Sequence, residues 1–90
     1  MKFRKKPVTI DAWPARSVWL AARDNWVALP AEIKAAYEGG GLIFAADHIS
    51  IQTLEGALRC NLDDMIIMGV KGEFYSCKPD IFAKTYEAVP

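Results

Sequence analysis

From Gly41 onward, short apolar runs alternate with turn residues, and no link between them is long enough for a crossover. Leu42-Ile43-Phe44-Ala45 is followed by Asp47-His48. Ile49 and Ile51 then alternate with Ser50 and Gln52. Leu54-Glu55-Gly56 reads as a hairpin, because Gly accepts the positive φ that tight turns require. Leu58, Cys60 and Leu62 share one face of the next run, and Asp63-Asp64 turns the chain again. Met65-Ile66-Ile67-Met68-Gly69-Val70 is apolar on both faces, as a covered strand should be. Lys71-Gly72 leads into Glu73-Phe74-Tyr75-Ser76-Cys77-Lys78. Parallel neighbours need roughly a dozen connecting residues, so links this short predict an antiparallel meander over residues 41–89.

The N-terminal half is patterned differently. Residues 1–6 are a basic arm. Residues 7–13 have Val8, Ile10 and Ala12 on one face and Thr9, Asp11 and Trp13 on the other, a period of two that predicts a first strand. Pro7 suits its first position, and Pro14 ends it. Residues 17–39 read as helical. Ser17 is a candidate cap for Val18-Trp19-Leu20-Ala21-Ala22-Arg23, and Asp24-Asn25 breaks that helix. A second helix starts at Pro30 and presents Ile33, Ala36 and Tyr37 as one apolar stripe. Gly39-Gly40-Gly41 stops it. Beyond Pro79-Asp80, Ile81-Phe82-Ala83-Lys84 makes a short helical turn, and residues 85–89 can form a last edge strand beside the first. The expectation is one α+β domain over residues 1–90. Its antiparallel, partly barrel-like sheet has five or six short strands, with one or two helices inserted after the first.

Composition narrows the function classes. The chain is 90 residues long, 52% hydrophobic and 24% charged, which argues for a folded core. Eleven basic residues balance eleven acidic ones, which argues against a dedicated nucleic-acid binder, since counterion displacement needs a basic excess. The alternative nucleic-acid contact would be the arm, through Lys2, Arg4, Lys5 and Lys6. No apolar run approaches the roughly 20 residues of a membrane span. No apolar stretch follows the arm as in a secretory leader. A cytoplasmic protein with reduced Cys60 and Cys77 is expected.

No residue set points to catalysis. His48 is the lone histidine, and as a turn residue it lacks an obvious partner. Asp47 is adjacent, and strand neighbours point to opposite faces. Asp63 and Asp64 fit turn chemistry. The three glycines follow a helix, the reverse of a phosphate loop. Neither metal nor cofactor is expected. Candidate partner-binding residues are the surplus tryptophans Trp13, Trp19 and Trp26, together with Lys71, Glu73, Tyr75 and Lys78 in the densest polar and aromatic stretch.

Two blocks carry a resemblance. Met1-Lys2-Phe3-Arg4-Lys5-Lys6-Pro7-Val8-Thr9-Ile10-Asp11-Ala12 resembles the opening of a group of small phage and prophage proteins. Those proteins also carry a block like Asp63-Asp64-Met65-Ile66-Ile67-Met68-Gly69-Val70-Lys71-Gly72-Glu73-Phe74-Tyr75-Ser76-Cys77-Lys78-Pro79-Asp80-Ile81-Phe82-Ala83-Lys84-Thr85-Tyr86-Glu87, and Ile51-Gln52-Thr53-Leu54-Glu55-Gly56 fits as well. Where the group has Pro-Gly-Asp and an aromatic, this chain has Leu62-Asp63-Asp64 and Met65, and residues 13–48 do not match. The group has no assigned activity, so the resemblance implies a phage origin and carries over no site residues. The expected function is a non-catalytic accessory protein that binds and modulates a host protein, such as a defence component. The alternative is an oligomer that sequesters a nucleotide-type ligand, using Arg59, Lys71, Lys78 and Tyr75. A homo-oligomer is compatible with either.

Overall fold

The computed structural model describes residues 1–4 and 6–90. The elements are β1 (Asp11–Pro14), α1 (Ala15–Asp24), a 3-10 turn (Trp26–Ala28), α2 (Ala31–Glu38), β2 (Leu42–Phe44), β3 (His48–Thr53), β4 (Gly56–Asn61), β5 (Met65–Met68), β6 (Phe74–Cys77) and α3 (Pro79–Thr85). Every strand pairing is antiparallel. The fold is α+β, as the sequence predicts, and its strands form two open three-stranded sheets, β1-β5-β6 and β2-β3-β4, in place of one partly barrel-like sheet.

The division into two sheets arises at Asp64. Its backbone N–H donates to the Asn61 carbonyl at 3.0 Å, and its side-chain oxygen accepts from the Asn61 N–H at 3.0 Å. Its own carbonyl accepts from the Ala15 N–H at 2.9 Å. The turn is thereby pinned to the start of α1, and β5 leaves it alongside β1. The same bond replaces the expected Ser17 cap: the helix begins at Ala15, and Ser17 lies exposed within it.

The first strand is shorter than residues 7–13. β5 offers four partners, from Met65 opposite Pro14 to Met68 opposite Asp11, and the chain then turns at Gly69. Residues 7–10 have no ladder to join, and Val8 is exposed. Pro14 is the last strand residue and flanks α1 in extended conformation. Its missing N–H is tolerated because β1 is an edge strand. The segment after α3 forms no strand, although residues 8–12 and 86–89 line a common crevice.

The core is aliphatic. Val18 of α1, Leu29, Ile33 of α2, Leu42, Ile49, Ile51 and Ile66 are all buried, and Cys60 and Ala15 lie among them. Leu58 faces the same side as Ile51 but stays half exposed on the edge strand β4. Cys60 and Cys77 are both free thiols. Burial, reinforced by the nearby Asp64 charge, pushes the Cys60 thiol up to about 11. Gly40 ends α2 at φ +80°, and Gly56 takes +123° in the β3–β4 hairpin. Both are conformations a side chain would strain.

Candidate functional site

The helix stripe predicted for the core divides in the structure. Ile33 is fully buried, whereas Tyr37, one turn later, is 45% exposed. Tyr37 faces an open groove of about 550 Å³ between α1, the 3-10 turn, α2 and β2. The aromatic rings along it form a chain of contacts. Trp26 meets Tyr37 edge-on with centroids 5.4 Å apart, and Tyr37 meets Phe44 at 5.6 Å. Trp19 forms the opposite wall. Its indole N–H donates to the Ala45 carbonyl at 2.8 Å, which ties α1 to the end of β2. The Arg23 guanidinium lies 5.6 Å from the Trp19 ring, within cation–π range. Ile43, half exposed, completes the apolar rim. Arg23 is the only ionisable cation among the groove-lining residues, and no carboxylate lines it.

Of the three tryptophans singled out by composition, the fold brings together Trp19 and Trp26. Trp13 lies on β1 opposite Ile66, half-buried against the core, and takes no part in the groove. Arg23, Tyr37, Ile43 and Phe44 were not apparent as site residues. Tyr37 was the nearest to legible: as the last large apolar residue before the glycines, it lies where α2 runs past the core.

The other predicted cluster is dispersed. Glu73 folds back over the β5–β6 turn, where its carboxylate accepts from the Lys71 N–H at 2.9 Å and covers buried Gly69. Tyr75 points toward the C-terminal segment, with its hydroxyl 3.5 Å from that of Tyr86. That contact, then burial, pushes Tyr75 up to about 12. Lys78 lines a separate polar hollow with Arg16, Asp47, Asp63 and Asp80. Lys2, Arg4 and Lys6 are exposed and outside any helix or strand, and Lys5 lies outside the described residues.

His48 departs from expectation. It is the first residue of β3 and is largely covered, and its Nδ1 lies 2.8 Å from Asp47 Oδ1. Asp47 precedes the strand, so strand alternation does not separate the two side chains. Asp47 also accepts from Arg59 Nη2 at 3.3 Å, and Arg59 Nε donates to Asn61 Oδ1 at 2.7 Å. The His48 hydrogen bond first, and Arg59 second, hold the Asp47 carboxyl below its usual range. A histidine oriented by a carboxylate becomes catalytic only beside a nucleophile or substrate. Cys60 pairs with Ile49 on the buried face, on the opposite side of the sheet from His48. Ser50, the nearest hydroxyl along the strand, accepts from Gln52.

Comparison with protein-family models, with curated proteins and with solved structures finds no match to this chain. No helix among the described residues is long and apolar enough to cross a membrane.

Proposed function

We propose that this chain is a non-catalytic phage or prophage accessory protein that docks a host protein in the host cytoplasm through the aromatic groove. The supporting observation is a contiguous patch in which Trp26, Tyr37 and Ile43 are 40%, 45% and 50% exposed around an open groove with one cation. Aromatic and Arg side chains of this kind anchor protein interfaces, because they bury large area at low conformational cost. The phage assignment is supported by the resemblance of the N-terminal and C-terminal blocks alone.

Affinity capture from host lysate tests the reading. The wild type retains a specific protein, and Trp26→Ala loses it while remaining folded. Equal capture by the two proteins would refute the groove as the docking site. The groove volume also falls within the roughly 300–1,000 Å³ typical of small-molecule sites, which favours a nucleotide-type ligand stacked on Trp26 as the second reading. A thermal-shift screen with nucleotides separates the two, because a ligand that binds only the folded state raises the melting temperature.

A further inference from the structure

The polar lining of the aromatic groove consists mainly of donors. Arg23 is the one cation among its lining residues, and no carboxylate balances it there. The two other arginines of the folded elements are already engaged. Arg16 donates to Asp63 at 2.8 Å, and Arg59 donates to Asn61 at 2.7 Å and to Asp47 at 3.3 Å. The Arg23 guanidinium makes no hydrogen bond among the described residues. Its nearest carboxylate is Asp24, with Oδ1 3.6 Å from Nε and both side chains exposed, so water screens the pair. Trp26 and Tyr37 add an indole N–H and a hydroxyl that also meet no partner among the described residues. The Ala45 carbonyl already accepts from Trp19.

Arg23 is also held in position. It follows Trp19 by one helical turn on α1, so the two side chains share a face. Its guanidinium lies 5.6 Å from the Trp19 ring centroid, and that ring is fixed by its indole bond to Ala45. A guanidinium resting on a fixed ring loses less freedom on binding, and its planar fork matches the two oxygens of a carboxylate. A terminal phosphate carries about two negative charges, more than one guanidinium neutralises, whereas a carboxylate carries one.

We propose, on the reading of the groove as a docking site, that the docked segment of the partner protein is both acidic and apolar. One Asp or Glu carboxylate accepts from Arg23, and a neighbouring large apolar side chain packs on Trp26, Tyr37 and Phe44. The ion pair sets which segments bind, and the ring contacts supply most of the buried area.

Selection of a random-peptide display library on immobilised wild type, Arg23→Glu and Trp26→Ala, each confirmed as folded by circular dichroism, tests the assignment. The wild type should enrich peptides with Asp or Glu beside an aromatic or large aliphatic residue. Arg23→Glu should enrich Lys or Arg at that place instead, and Trp26→Ala should enrich nothing. Replacing the carboxylate of the best wild-type peptide by its amide should weaken binding to the wild type about tenfold, the loss of one charge-assisted hydrogen bond. On Arg23→Gln the same replacement should change affinity less than about twofold, since the pairing group is gone. Acidic enrichment unchanged on Arg23→Glu would overturn the proposal by placing the carboxylate on another residue. Apolar peptides without acidic preference, lost on Trp26→Ala, would overturn it while leaving the groove as the docking site. No enrichment on the wild type, or the same enrichment on Trp26→Ala, would overturn the docking reading and the proposal together.

Discussion

Replacing Trp19 by Phe removes one hydrogen bond and part of one ring while keeping an aromatic in place. Among the described residues, the indole N–H bonded to the Ala45 carbonyl at 2.8 Å is the one side-chain bond joining α1 to the end of β2. A typical bond of this kind contributes about 0.5–1.5 kcal/mol, with a further cost when a part-buried carbonyl loses its partner. The lost ring area adds about 0.5–1 kcal/mol at the usual apolar transfer value. The expected destabilisation is about 2 kcal/mol, which for a domain of this size lowers Tm by roughly 10 °C. Urea unfolding followed by far-UV circular dichroism measures it, with an unchanged slope showing that the denatured state is the same. Trp26→Phe is the matched control, since Trp26 is 40% exposed and its side chain makes no hydrogen bond among the described residues. Its effect should stay within about 0.5 kcal/mol. Equal losses for the two variants would refute the assignment of Trp19 as a brace and Trp26 as a contact residue.

Ile33→Ala, at the fully buried position of α2, should cost about 2–5 kcal/mol in the same assay, since it leaves a cavity. The Tyr37→Ala variant, four residues further along the helix, should cost under about 1.5 kcal/mol and still abolish capture of the host partner. Alkaline pH should destabilise the fold through Cys60. In the unfolded chain the thiol ionises near 9.0, and in the folded protein only near 11. Its contribution is therefore full below pH 9 and is lost as pH rises through 11, a decline of about 3 kcal/mol. The difference in unfolding free energy between wild type and Cys60→Ala, measured from pH 8 to about 11, should shrink by about 2 kcal/mol, the larger part of that decline; a constant difference would contradict the burial of the thiol. Gly40→Ala, at φ +80°, should lose about 1 kcal/mol by thermal melting.

The C-terminal half was legible because a period of two and two-residue turns leave few choices. The hairpin at Leu54-Glu55 and the strand at Ile66-Ile67 follow directly from the residues. The separation into two sheets was not legible. Asp63-Asp64 has the composition of any tight turn, and only the fold supplies the Ala15 N–H that pins it to α1. The alternation predicts too long a β1 because Val8 and Ile10 continue it past the end of the partner strand. A helix stripe records which residues are apolar but not where the neighbouring layer ends, so the pattern alone places Tyr37 in the core with Ile33. Surplus tryptophan pointed to Trp19 and Trp26. Nothing local to Arg23 or Phe44 marks them, since they reach the groove only through the packing of α1, α2 and β2.

The docking claim is tested most directly by amide chemical-shift mapping of the labelled protein, titrated with the partner recovered from lysate. The largest changes should fall on Arg23, Trp26, Tyr37, Phe44 and Ala46, with the indole N–H of Trp19 shifting alongside them. Changes centred instead on Asp63, Lys78 and Asp80, with those groove resonances unmoved, would contradict it.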